Sequence, residues 1–568
     1  MNTKNPVQPD PADAPLKIPK APNAPLNVLK PGQKLVLALL SSFLMWLAWP
    51  PVNYTAPLLL IGLVPLLVAL SAIKEDDRLK KGKRIFLTAG LSFLVWNTVC
   101  IYWVYNSIHS FNDAFTSLLI SLIPYGLGAL LMTFAFWLYY RLSIYTSKWI
   151  AYLGLVSFWI AMEYLHQSWD LAFPWMNLGN GFAKMHQLIQ WYEYTGVYGG
   201  TLWVLVSNII GFEAYRSYKT KNGLERYKLS IVLSVVIVIP ITLSLSKYTS
   251  YEEKSVPVNV VVVQPNIDPY LKYGSISAYE QVSTLTRLSD SIGQTNTEYF
   301  IWPETAIPNF ANEYGIRTNM DYMRIQEFLS KYKNGTVISG IESVKTYPTA
   351  ETVSAKFDAN SNQYYDNFNA AVQIENSADV QFYHKSKLVP GVEKMPFPTA
   401  LAFLKPVFAE LGGSVGGWGW QDHPAVFYSY GGVGVTPVIC YESIWGEWVG
   451  KAVKDGAQFI AIITNDGWWG NTSGKDQHFL YAKLRAIETR RWIARSANTG
   501  ISGFIDQKGD IVSQSAWWTR TALKAEINLN SDLTFYVKNG DLIARFFCIT
   551  AILLALIIPY RKWIRKLR

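Results

Sequence analysis

Cysteine is nearly absent from this chain: 568 residues contain three, Cys100, Cys440 and Cys548. Two of them fall inside apolar runs, which excludes a disulfide framework and a Cys-rich metal site. Charge is scarce as well. Asp, Glu, Lys and Arg make up 16% of residues, against about a quarter in soluble domains, while apolar residues reach 50% and aromatics 15%. Such a chain is expected to live partly in lipid. No glycine-rich phosphate loop is evident, His384 and His478 show no metal-ligand spacing, and neither cofactor nor metal is expected. The net charge of +10 would suggest nucleic acid, but the Lys and Arg sit in short clusters between apolar runs. That pattern sets membrane topology and does not build a basic groove.

What is present divides the chain into at least two folding units. Residues 1–33, rich in Pro, Ala and Lys, are expected to be a disordered cytoplasmic tail, because no apolar core of a cleaved signal follows a short basic start. Apolar runs follow near 34–51, 56–73, 85–105, 115–140, 149–167, 196–214 and 228–247, with one more near 541–560. Each is long enough, or nearly so, for a hydrocarbon core of ~30 Å, which predicts about eight spans: seven in a membrane domain over 34–248, then an eighth. Only Pro50-Pro51 separates the first two. Loop charges agree with the count. Lys74 to Arg84, Arg141 to Lys148, Arg216 to Lys228 and the tail 561–568 are basic, so every second connection and both termini read as cytoplasmic. The segment 252–538 then faces outward.

That segment changes character. Val258–Val263, Tyr299–Trp302, Thr336–Gly340, Ala370–Ile374, Val433–Ile439 and Phe459–Thr464 read as strands, and Met320–Tyr332, Ser443–Lys454 and Gln477–Arg495 as helices. The alternation predicts an α/β domain with a largely buried sheet.

Three polar residues stand at strand ends: Glu304 after Ile301-Trp302-Pro303, Lys385 after Val380–His384, and Cys440 after Val435–Ile439. A thiol on a strand-to-helix turn is exposed and gains from nearby backbone N–H groups, and a carboxylate and an ammonium would supply base and cation. Singly, each has a plainer reading: a packed cysteine, a surface glutamate after a proline turn, a solvated lysine. Periodicity alone does not bring them together.

Together they resemble the nitrilase superfamily, whose Glu–Lys–Cys triad stands on an αββα sandwich. The resemblance is carried by Trp302-Pro303-Glu304-Thr305-Ala306, Tyr383-His384-Lys385, Cys440-Tyr441-Glu442, Asn465–Gly470, Ala486–Arg491, Asn498-Thr499-Gly500 and Ile505-Asp506. With the domain inserted before the last span, and with Glu163, Phe173-Pro174-Trp175, Leu178-Gly179, Gly196–Gly199 and Asn208 in the membrane half, the whole chain beyond its tail resembles the apolipoprotein N-acyltransferase family. The resemblance implies Glu304 as general base, Lys385 as oxyanion-stabilising cation and Cys440 as nucleophile. It implies Glu393 as a second glutamate beside them, and Tyr441 and Glu442 as residues supporting the nucleophile. It also implies a bacterial inner-membrane enzyme with its catalytic domain in the periplasm and no nucleic-acid partner, expected as a monomer. Such an enzyme passes an acyl chain from a phospholipid, through a cysteine thioester, to the N-terminal amine of a diacylglyceryl-cysteine lipoprotein.

Two local departures stand out. The chain reads Leu388-Val389-Pro390-Gly391-Val392-Glu393 where the family has Leu-Val-Pro-Phe-Gly-Glu, and it offers Tyr273 where a substrate-contacting Trp is expected. Trp418 and Trp420 beside the stretch Gly412–Gly417 suggest a mobile loop over the site, and Trp445, Trp448, Trp468 and Trp469 read equally as interfacial anchors or as core. Glu163 within an apolar run is a functional candidate. Two readings compete with acyl transfer: a membrane-tethered amidase using water as acceptor, and a transporter or scaffold with an inactive outer domain. The presence of all three triad residue types disfavours the second.

Overall fold

In apolar surroundings a chain must satisfy its own backbone polar groups, and the helix does so locally. The computed structural model describes residues 29–109, 112–272, 274–401, 403 and 417–567. Its apolar runs are helices: α1 (Pro31–Leu47), a 3₁₀ turn (Ala56–Leu60) leading into α2 (Val64–Glu75), α3 (Lys81–Ile101), the short α4 (Val104–His109), α5 (Ala114–Ser143), α6 (Lys148–His166), α7 (Tyr192–Thr220) and α8 (Lys228–Ser250). Six helical segments among the described residues are long and apolar enough to cross a membrane: Ala56–Glu75, α3, α5, α7, α8 and Leu542–Ile564 near the C-terminus. Of the eight runs read as spans, α1 is shorter, at 17 residues, and α6 is largely buried among its neighbours. The tail before residue 29 lies outside the described residues.

Aromatic rings knit this bundle. Trp49, Phe93, Trp96, Phe136 and Trp159 meet edge-on at centroid distances of 5.1–5.7 Å. Polar side chains close the helix breaks. Asn208 accepts from Leu63 N at 2.7 Å and donates to Leu59 O at 2.7 Å, repairing the kink before α2. Glu163 is likewise a structural tie, accepting from Trp159 Nε1 (2.9 Å), Leu178 N (2.8 Å) and Thr201 Oγ1 (2.8 Å).

The segment after α8 forms two facing sheets. The first holds β1 (Pro257–Gln264), β2 (Tyr299–Ile301), β3 (Ile307–Asn312), β4 (Thr336–Tyr347), β5 (Lys356–Asp358), β6 (Gln363–Glu375), β7 (Val380–His384) and β14 (Thr521–Asn528). Its order is β14-β1-β2-β4-β6-β5, with β3 on β4 and β7 on β6. The second runs β13-β12-β11-β10-β9-β8, comprising β8 (Phe427–Tyr428), β9 (Gly434–Ile439), β10 (Phe459–Thr464), β11 (Ile493–Ala497), β12 (Gly503–Ile505) and β13 (Ile511–Gln514). Val260, Val262 and Ile301 of the first meet Val435, Ile439 and Ile463 of the second. The other face of the first sheet packs Val261, Val263 and Phe300 against α9 (Ala278–Ile292) and α10 (Met320–Leu329). The second sheet is covered by α11 (Gly446–Lys454) and α12 (Ser473–Thr489). Strands buried on both faces read as unbroken apolar runs, which is why β1 shows no alternation.

The helix expected over Gln477–Arg495 is corrected. It ends at Thr489, Arg490 turns into the left-handed region (φ 51°), and Ile493–Ala497 pairs in parallel with β10. After the sandwich, α13 (Phe535–Asn539) leads into α14 (Leu542–Leu567).

Candidate active site

Three strand ends converge at one edge of the facing sheets. After β2 the chain turns through Pro303 and Glu304, with Thr305 at φ 49°. Only glycine fits opposite: a Cβ on Gly340 would stand 2.3 Å from Thr305 N and 2.6 Å from Glu304 Cα. After β7, Lys385 is held by its N–H to Asn369 O at 2.9 Å. After β9, Cys440 adopts φ 52°, a left-handed conformation rare for a side-chain-bearing residue and a pointer to function.

Lys385 is 1% exposed and lies between two carboxylates, its Nζ donating to Glu304 Oε1 at 2.9 Å and Glu393 Oε1 at 2.6 Å. Asn369 Nδ2 braces both oxygens, at 2.8 and 3.2 Å. Burial pushes the lysine down, but Glu304 and Glu393 outweigh it and hold the ammonium well above the ordinary range. Burial pushes the Cys440 thiol up and the Glu304 charge adds to this, while Lys385 pulls it back only in part. The resting group is therefore a thiol with a carboxylate nearby, not a preformed thiolate.

The neighbouring residues fix this geometry. Glu442, fully buried, accepts from Tyr383 Oη (2.6 Å), Ser386 N (2.6 Å), Lys387 N (3.2 Å) and Ile439 N (2.9 Å), so one carboxylate ties the exits of β7 and β9 together. The displaced glycine does not misplace Glu393: Gly391 takes φ 84°, and Glu393 Oε2 accepts from Val389 N at 2.8 Å. Tyr441 Oη donates to Ala172 O at 3.0 Å and Trp445 Nε1 to Gln167 O at 3.1 Å, joining the cysteine turn to the helical half.

Glu304, Lys385, Cys440, Glu393, Tyr441 and Glu442 thus lie around the three strand ends, whereas Tyr273 and residues 412–416 lie outside the described residues. Trp445, Trp448 and Trp469 are packed inward, Trp448 beneath Lys387 Nζ at 4.2 Å from its ring. Trp418 stacks on Phe310 at 5.8 Å and Trp420 is exposed. Sequence reasoning missed Asn369, one of several polar residues along β6, and Lys272. Buried Lys272 bonds Thr305 Oγ1 and Glu304 O, and burial lowers it to about 8. His384 meets Glu313 Oε1 at 2.6 Å. A cleft of about 430 Å³ opens between α4 and the sandwich, lined by Asn106, His109, Tyr270, Trp468, Trp517 and Trp518. It does not touch the triad, but its wall at Gly467 adjoins Asp466, whose charge Cys440 feels.

Comparison with known proteins follows the same division. Residues 259–531 match the family model for carbon-nitrogen hydrolases. A solved CN-hydrolase superfamily protein from Xanthomonas campestris is 13% identical, with a TM-score of 0.32 over 48% of this chain and 91% of its own. The two facing sheets thus coincide with a carbon-nitrogen hydrolase domain, carried on a set of apolar helices. Residues 41–210 match the apolipoprotein N-acyltransferase N-terminal domain. An apolipoprotein N-acyltransferase from Chlorobaculum tepidum is 30% identical over 93% of this chain and 96% of its own, and one from Geobacter metallireducens is 26% identical over 94% and 96%. The chain belongs to the apolipoprotein N-acyltransferase family.

Proposed function

We propose that this chain is a membrane acyltransferase that N-acylates lipoproteins by a two-step exchange at Cys440. In the first step Glu304 takes the thiol proton as sulfur attacks a phospholipid ester carbonyl. The S–C bond forms, Lys385 balances the oxyanion, and the C–O bond breaks as Glu304 returns the proton to the lysophospholipid alkoxide. In the second step the α-amine of a diacylglyceryl-cysteine attacks the thioester. The N–C bond forms, the C–S bond breaks, and the amine proton passes by way of Glu304 to the thiolate.

One observation carries this reading: Lys385 is clamped by Glu304 and Glu393 beside a thiol whose own turn is bonded to the helical half. An amidase that hands its acyl group to water has no use for such a joint. Keeping both substrates' chains in apolar surroundings avoids extraction at about 0.8 kcal/mol per CH₂.

The same reading assigns residues 34–248 to the membrane domain and 252–538 to a periplasmic catalytic domain inserted before an eighth span at 541–560. α1 and α6 count as spans beside the six longer segments, and the protein works as a monomer in the bacterial inner membrane. The test is a labelled phospholipid incubated with purified enzyme. A hydroxylamine-sensitive acyl adduct is expected on the wild type, discharged into an amide by a diacylated lipopeptide and absent in Cys440→Ala. Release of free acid unchanged by the lipopeptide would overturn the assignment.

A further inference from the structure

Two adjacent residues of α12 reach in different directions. Successive side chains on a helix diverge by about 100°, so Gln477 points to the helical half while His478 points to the nucleophile. Gln477 uses all four of its hydrogen-bonding positions. Its Oε1 accepts from Trp103 Nε1 at 3.1 Å and Trp175 Nε1 at 2.7 Å, and its Nε2 donates to Pro50 O at 2.9 Å and Cys100 O at 3.0 Å. Every partner lies outside the sandwich, just beyond the end of α1, at or just beyond the end of α3, or after α6.

His478 is fully buried, with Nε2 3.1 Å from Cys440 O and 3.0 Å from Ser443 Oγ. A carbonyl only accepts, so Nε2 carries the proton and donates to it. Asp466 Oδ1 (3.0 Å) and Arg495 Nη2 (3.1 Å) flank Nδ1, and Trp175 and Trp469 pack on the ring at 5.8 and 5.2 Å. The Cys440 carbonyl also accepts from Ser443 Oγ at 2.8 Å. A non-glycine residue persists at φ 52° only where its surroundings hold it, and these bonds are that hold.

We propose that Gln477 and His478 form a positioning clamp, in which Gln477 grips the membrane-embedded half and His478 grips the Cys440 peptide, setting the sulfur's place relative to lipid. Neither touches substrate. The inference rests on the proposed reaction, since only a lipid-borne ester needs its nucleophile at a set height.

The test compares two reactions of Cys440 in the full-length protein reconstituted in phosphatidylethanolamine-containing vesicles. One is acyl-adduct formation from the bilayer lipid, and the other is alkylation by water-soluble iodoacetamide, corrected with Cys440→Ala. Misplacement by an ångström costs about a hundredfold in a positioned reaction, so Gln477→Met is expected to slow adduct formation tenfold or more while alkylation stays within about twofold. Trp103→Phe, which keeps an aromatic ring but removes the indole donor, is expected to shift the ratio in the same direction. His478→Phe is expected to change both reactions, and His478→Gln, which restores an N–H donor, to recover part of each. Equal slowing of both reactions by Gln477→Met and Trp103→Phe, or no slowing of either, overturns the clamp. A wild type that forms no adduct counts instead against the proposed reaction.

Discussion

Lys385 is the residue on which the site balances. Its ammonium sits between two carboxylates at 2.9 and 2.6 Å with 1% exposure, so removing it leaves Glu304 and Glu393 facing each other without a counter-charge. Breaking a buried pair in this way costs about 3–5 kcal/mol. Lys385→Met is expected to lower acyl-adduct formation by about 10²–10³-fold, the range seen when one oxyanion donor is lost, and single-turnover labelling measures it. The thiol makes a second prediction. Its pKa is raised, first by burial and then by Glu304, so the protonated form dominates at neutral pH and ionisation grows as pH rises. Alkylation of Cys440 by iodoacetamide is expected to climb through pH 9 without a plateau. Levelling near pH 7 would mean a preformed thiolate and would assign Glu304 a different task.

At the scale of elements, each triad residue follows a strand, and what is fixed is the turn rather than the side chain. The Glu304 turn depends on β4: Gly340 N donates to Pro303 O at 3.1 Å, and a Cβ there would meet backbone atoms within 2.6 Å. Gly340→Ala is expected to cost about 1–3 kcal/mol through overpacking, seen as a lower melting temperature by tryptophan fluorescence. Adduct formation is expected to fall further than that loss explains, because the Glu304 carboxylate moves. This element pattern also separates what was legible in the sequence from what was not. Strand ends carrying Glu, Lys and Cys were readable, since an apolar run broken by one polar residue is a local signal. Lys272, Asn369 and the bond from His478 to Cys440 were not: Asn369 is one of several polar residues along β6, and what singles out each is a partner brought together from elsewhere in the chain. β11 was hidden for another reason. Arg491 and Arg495 look solvated in sequence, yet both are buried, Arg491 donating to Ala457 O and Asp532 O and Arg495 to Asp466 Oδ2. Charges satisfied by distant partners gave a buried strand the look of a helix end.

For the whole molecule, the helices connect two chemically different ends. α7 begins beside the sandwich, where Arg490 Nε donates to Glu193 Oε2 at 2.6 Å and Val197 N to Glu488 Oε1 at 3.1 Å. It ends 29 residues later in the basic loop holding Lys219, Lys221 and Arg226, a rise of about 40 Å. α6 runs the other way: Lys148 at its start pairs with Glu213, and Gln167 just past its end meets Trp445. The lysine- and arginine-rich loops therefore stand at the end away from the sandwich, and positive loops stay in the cytoplasm. Two single cysteines test this. Val353→Cys, 90% exposed on the sandwich, is expected to react with a membrane-impermeant maleimide added to intact spheroplasts. Asn222→Cys, exposed in the basic loop, is expected to react only after lysis. The reverse pattern would place the thiol in the cytoplasm, away from any acceptor that matures on the outer face, and the acyl-transfer assignment would fall with it.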